Sequence, residues 1–186
     1  GSGCILAMPH LGAWEWAAFW LTAVHEMLVT AVVEAVQPPE LAAWFVGLRA
    51  RLGIEVVPLD SKAGTASTRA LGANRVLALL CDRDVAGGGI EVEFFGERTT
   101  LPAGPATLAL RTGAPLVPAT IYFEEDGGHH GIARPALDTT RHGKLREDVA
   151  RITQDLAHEL ESMIRGAPEQ WHLLQPNWPS DQDGRD

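Results

Sequence analysis

The sequence predicts a single α/β domain, a layered fold with a central, mostly parallel sheet flanked by helices. Three observations lead there. Short runs that are apolar on nearly every residue recur along the chain, which suits strands covered on both faces. Helical segments separate most of these runs. The 186 residues, 46% of them hydrophobic, suffice for one real core and are few for two.

The strand-like runs are 3–8, 27–33, 54–59, 75–81, 90–95 and 116–123. The first helix is predicted over 13–25. The second covers 38–52: two prolines open it and Gly53 closes it. A short helix is predicted over 65–73 and another over 103–112, after Pro102 and before Gly113. The last helix has the clearest pattern. Leu145, Val149, Ile152, Leu156, Leu160 and Ile164 recur at spacings of three and four, and Gly166 and Pro168 end it. The glycine-rich pieces at 85–89 and 124–131 read as surface loops. The domain is drawn over 1–178, with 179–186 as a flexible tail.

The net charge of −9 argues against nucleic acid as a partner. Cys4 and Cys81 both lie in strand-like runs, so they form no disulfide framework and suit a reducing cytosol. No apolar run reaches the roughly 18 uninterrupted residues of a membrane-spanning helix, and no signal peptide is visible. Six tryptophans are many for this length and favour a surface that is apolar on one side and wet on the other. The chain starts without methionine inside a strand-like run, so an N-terminal portion is expected to be missing.

The stretch "CILAMPHLGAWEWAAFW" places His10 and Glu15 in a segment that otherwise suits burial. Pro9 disfavours helix at Met8, so His10 falls at the strand's end, where α/β sheets place ligands, and Gly12 allows the turn that follows. On one continuous helix the two residues would be about 140° apart. A histidine on the preceding loop can fold back, letting Glu15 accept a hydrogen bond from one ring nitrogen while the other takes a proton from a hydroxyl. The alternative is that Glu15 simply complements the dipole of the helix start. No group of histidines has zinc-ligand spacing.

Other candidates follow from position. In "GLRARLG", Arg49 and Arg51 are about 200° apart on a helix, so only one faces inward. Arg49 is the choice, with Arg51 the alternative. Asp82, Arg83 and Asp84 end a strongly apolar strand, where they serve as a site or as ordinary strand-end capping. Glu91 and Glu93 share one strand face, which is either solvent or an acceptor site. Trp14, with Trp16, Trp20 and Phe19, is either core or the wall of an acyl-chain groove.

Four blocks in order carry a family resemblance: "PHLGAWEWA", "WFVGLRARLGIEVVPL", "VLALLCDRDVAGGGIEVEFFGERTTLPAGPATLALRTGAPLVPATIY" and "PEQWHLLQPNW". The first resembles the H-x4-D/E block of glycerolipid-type acyltransferases, and together they resemble the branch that contains the bacterial lipid A biosynthesis acyltransferases. Within it, "DRD", "GIEVEFFGERTTLPAGPA" and "QPNWPSD" are most similar to actinobacterial phosphatidylinositol mannoside acyltransferases. "GAWEW" departs from the lipid A enzymes, where asparagine is common after the histidine.

The resemblance implies an O-acyltransferase that moves a long fatty acyl chain from acyl-CoA to a sugar hydroxyl of a membrane glycolipid, most closely a phosphatidylinositol mannoside. Alternatives are a lipid A precursor as acceptor, acyl carrier protein as donor, or a non-catalytic lipid-binding relative. His10 is implied as base and Glu15 as its orienter. Arg49 is implied as the functional arginine, and Asp82, Arg83, Asp84, Glu91 and Trp14 are proposed to bind substrate. Backbone amides near Gly12, or an arginine, are candidate oxyanion donors. No metal or bound cofactor is implied, because acyl-CoA is a co-substrate. The implied location is peripheral, on the cytoplasmic face of the plasma membrane. Family members usually carry an N-terminal membrane-associating region, which this sequence does not display.

Overall fold

A computed structural model describes residues 3–34 and 36–181. Six strands form one sheet: β1 (Cys4–Met8), β2 (Val29–Val33), β3 (Ile54–Pro58), β4 (Val76–Leu80), β7 (Leu116–Phe123) and β8 (His129–Ala133), in the order β3-β2-β4-β1-β7-β8. All pairs are parallel except β7 with β8. A separate antiparallel hairpin joins β5 (Ile90–Phe94) to β6 (Glu97–Leu101). The helices are α1 (Trp14–Ala23), α2 (Pro39–Arg51), α3 (Ala63–Gly72), α4 (Gly104–Thr112) and α5 (Leu145–Gly166). The predicted α/β class is therefore observed.

Alternation along the strands sorts two cores. Ile5, Ala7, Leu77 and Leu116 face one side, where Leu71 of α3, Ala106 and Ala109 of α4, and Ile152, Leu156 and Leu160 of α5 cover them. Met8, Val29, Ala31, Ala78 and Ala119 face the other, where Ala18 of α1 packs. The hairpin joins the first core through Val92 and the fully buried Phe94. Burial of a phenylalanine of this kind stabilises by roughly 1.5–3 kcal/mol.

Two strands differ from the sequence expectation. Residues 129–131, read as part of a glycine loop, belong to β8. This strand lies at the sheet edge and is exposed along most of its length, so it lacks the apolar run that marks the others. The polar β6, Glu97–Leu101, also went unread because only Thr99 and Leu101 are buried.

The tail drawn from 179 starts with a short 3-10 helix, Pro179–Asp181. Ser180 is bonded through its amide and hydroxyl to the Glu97 carboxylate. The rest of that tail, 182–186, lies outside the described residues. No helix among the described residues is long and apolar enough to cross a membrane.

Candidate active site

β1 and β4 are neighbours in parallel, with Met8 opposite Leu80. Continuing that register by two residues brings residue 10 opposite residue 82. The His10 Nδ1 is 2.6 Å from Asp82 Oδ1. The other carboxylate oxygen accepts the His10 backbone N–H at 2.9 Å and the Trp171 indole N–H at 2.7 Å. The Asp82 side chain is fully buried, whereas that of His10 keeps 24% of its surface exposed.

Burial alone would raise the pKa of Asp82. The bond and charge of the His10 ring, then the Trp171 indole and the His10 amide, outweigh it and hold the carboxyl below its ordinary value. Asp82 is therefore ionised at neutral pH and can only accept. The nitrogen facing it carries a proton, so Nδ1 donates, and in the neutral ring the Nε2 lone pair is left for chemistry.

The backbone supports this pair from both ends of the sequence. Leu11 N–H closes a tight turn onto the Pro9 carbonyl. Gly12 follows at φ +60°, and a Cβ there would overlap the Ile121 carbonyl, so the position requires glycine. A strap from 170 to 178 then crosses the turn. The Gly12 amide donates to the Gln170 carbonyl at 3.1 Å and the His172 amide to the His10 carbonyl at 2.7 Å. Asn177 Nδ2 donates to the Asp82 carbonyl at 3.0 Å. Trp171 stacks on Phe95, and Trp178 stacks on Phe94. The Gly12 and Leu11 amides, offered as oxyanion donors on sequence grounds, are thus both engaged within the chain.

Glu15 is elsewhere. It stands in the first turn of α1 and accepts Arg49 Nη2 at 3.0 Å. The expected Glu15–His10 bond is not formed, because Asp82 already occupies Nδ1 and the helix turns Glu15 toward α2. Arg49 is the inward arginine, as chosen: its guanidinium lies over the rings of Trp14 and Phe45, 4.9 and 5.2 Å from their centroids. Trp14, Glu15 and Arg49 therefore form one cluster joining α1 to α2.

The remaining candidates separate. Arg83 donates to Glu34 at 2.7 Å and to Gln175 at 2.6 Å, linking the strap to the end of β2. Asp84 organises its own loop by accepting from the amides of Gly87 and Gly89 and from the Thr100 hydroxyl. Glu91 lies on the exposed face of the hairpin, paired with Arg98 at 3.1 Å, while Val92 and Phe94 point inward. On that face Glu91 lines, with Asp84, Thr100 and Asn177, an open cavity of about 390 Å³.

Trp171 and Asn177 are site residues that the sequence reading did not single out. Their signal is a cluster of indole and amide side chains in the closing block, where each polar atom needs a buried acceptor.

Two cavities flank the pair. An apolar groove of about 500 Å³ lies beneath α1, lined by Leu6, Met8, Trp16, Trp20, Ile121 and Gly131 among others. Its lining along β1 ends at Met8, two residues before His10. On the opposite face of the sheet is a cavity of about 610 Å³ between α3 and α4. Its lining is largely apolar, with hydroxyls from Ser61, Thr65 and Thr107, the carboxylates of Asp60 and Asp84, and Arg83 and Arg111 among the polar groups; Cys81 and Arg83, either side of Asp82, line its wall.

Comparison with known proteins adds to this geometry. The sequence model of the bacterial lipid A biosynthesis acyltransferases matches residues 1–180. The chain is 41% identical over 184 residues to the phosphatidylinositol mannoside acyltransferase of Mycobacterium tuberculosis H37Rv, covering 97% of this chain and 56% of that protein. It is 40% identical over 184 residues to the protein of the same name from Mycolicibacterium smegmatis, covering 97% of this chain and 58% of that protein. The chain thus spans a little over half the length of these curated relatives.

Proposed function

Since the chain belongs to the bacterial lipid A biosynthesis acyltransferase family, we propose that it transfers a long fatty acyl chain from acyl-CoA to a sugar hydroxyl of a phosphatidylinositol mannoside. The observation that carries this reading is the His10–Asp82 pair, with Nδ1 held at 2.6 Å and Nε2 left free. The names of the relatives support the acceptor.

In the reaction, the acceptor hydroxyl attacks the thioester carbonyl carbon while His10 Nε2 takes its proton. Asp82 fixes the reactive tautomer and stabilises the imidazolium that forms. The tetrahedral intermediate collapses with cleavage of the carbon–sulfur bond, and the CoA sulfur leaves with the proton returned from His10. The ester is the product, and no covalent enzyme intermediate is involved.

The two cavities suit the two substrates. The apolar groove beneath α1 takes the acyl chain. Trp16 and Trp20, one turn apart, are half exposed above it, an arrangement that a bound chain would cover. The cavity on the other face, where Arg83 and Arg111 stand with several hydroxyls and the Asp60 and Asp84 carboxylates along a largely apolar wall, suits the sugar and phosphate groups of the acceptor. Glu15 and Arg49 act indirectly, by holding the start of α1 in place over the groove.

Exposed apolar side chains in the same region support peripheral membrane contact, which this reading assigns to the cytoplasmic face. Trp16, Trp20 and Leu28 are exposed around α1, and Leu41 and Trp44 along α2.

The test is CoA release from palmitoyl-CoA, with and without a phosphatidylinositol mannoside, in wild type and His10→Ala. Acceptor-dependent release that the substitution abolishes is the expected result. Release that survives the substitution would remove His10 as base. Release that depends instead on a lipid A precursor would reassign the acceptor.

A further inference from the structure

Gly131 is a glycine without a backbone reason. It lies inside β8, where glycine weakens a strand, and it does not adopt a left-handed conformation. Packing does not require it either. A Cβ built there would have only the Thr120 carbonyl oxygen nearby, at 4.0 Å. With regular pairing on β7 and no backbone closer than that oxygen, what is left for a strand-interior glycine is room for a ligand to approach.

Its position says which ligand. Gly131 is opposite Ile121 in the β7–β8 ladder, so the two share a face. That face is the one under α1, and both residues line the apolar groove. On β8, the same face carries His129 before Gly131 and Ala133 after it. The row is therefore His129, Gly131, Ala133: a wall with a notch in it. The His129 ring is fixed on one side of the notch by Trp16 and Phe123, at centroid distances of 5.4 and 5.5 Å.

The notch is at the far end of the groove. The lining begins on β1 at Met8, beside His10, crosses β7 at Ile121 and Ala119, and reaches β8, the edge strand. That crossing spans two inter-strand spacings, about 10 Å. A short acyl chain fits within it, whereas a long one must pass over Gly131 and out beyond the sheet edge.

We propose that Gly131 is the chain-length determinant of this enzyme, leaving the opening in β8 through which the distal methylenes of a long acyl chain pass. The proposal rests on the reading that the groove holds the acyl chain. Filling the notch closes the exit, so long chains lose their place while short chains keep theirs.

The experiment compares Gly131→Val and Gly131→Leu with wild type, using palmitoyl-CoA and decanoyl-CoA as donors. His130→Leu, on the opposite face of β8, is the control. The expected result is a fall of more than about tenfold in the palmitoyl-to-decanoyl ratio of kcat/KM for the Gly131 variants, with the control ratio unchanged. Valine suits an edge strand, so the melting temperature of Gly131→Val should not fall. A ratio that stays constant, or that shifts equally in His130→Leu, overturns the proposal.

Displacement of a fluorescent polyene fatty acid by palmitate and by decanoate, measured in His10→Ala, separates the two readings. If neither fatty acid displaces the probe, the groove is not the acyl site and the underlying reading fails. If both displace it with the same preference in wild-type and Gly131→Leu backgrounds, only the role of Gly131 fails. A preference shifted toward decanoate by the Gly131 substitution supports both.

Discussion

His10 and Asp82, 72 residues apart in sequence, meet at 2.6 Å because β1 and β4 run parallel and in register. The carboxylate meets the ring, the backbone amide of the same histidine and the Trp171 indole at once. That fixes the imidazole in position, tautomer and rotation. Each consequence can be measured.

Asp82→Asn keeps the volume and removes the charge. An amide can offer Nδ1 either its oxygen or its nitrogen, and the imidazolium loses its partner. The expected fall in kcat is about 10³–10⁴-fold with little change in KM, the pattern of a lost orienting carboxylate in histidine-based acyl transfer. Glu15→Gln should lower kcat far less, because Glu15 holds Arg49 rather than the base. Steady-state kinetics of the two variants side by side decides between the carboxylates.

Stability should carry the same signature in acid. The pKa of Asp82 is held below its ordinary value when folded, against about 3.9 when unfolded. At pH values above the unfolded value its stabilising contribution is complete. As pH falls below about 4 the unfolded chain takes up this proton first, and the contribution is lost through the folded value. Urea midpoints between pH 6 and about 3 should therefore drop less steeply in Asp82→Asn than in wild type.

Trp171→Phe retains an aromatic ring against Phe95 and deletes one donor to a buried carboxylate. A hydrogen bond to a charged group contributes about 1.5–3 kcal/mol, and urea denaturation should show a loss of that order. A loss of a few tenths would mean that the indole packs without bonding.

Gly12→Ala should cost more than an ordinary glycine substitution. The residue is left-handed, and the added carbon would overlap the Ile121 backbone, which cannot move without disturbing β7. The expected destabilisation is about 2–4 kcal/mol, above the roughly 1 kcal/mol of the backbone preference alone. Thermal unfolding of the variant tests it.

The sequence was informative where one element explains itself. Five helices and the buried strands could be read from apolar runs and their proline and glycine boundaries, and His10 from the proline that ends its strand. The exposed strands β6 and β8 lack an apolar run, so they could not. The partner of His10 was misread for a related reason. Glu15 is close in sequence, whereas Asp82 becomes a neighbour only once the first and fourth strands are placed side by side and their register is known. Trp171 and Asn177 required one step more, since the strap that carries them has no periodic pattern at all.

That strap also bears on when the His10–Asp82 pair is completed during folding. The histidine is among the earliest of these residues to leave the ribosome and the indole among the last. A chain extending only through α5 carries His10 and Asp82, yet lacks the indole that donates to the carboxylate and the His172 amide that donates to the His10 carbonyl. The geometry of the pair is therefore completed by long-range contacts, which form slowly compared with local ones.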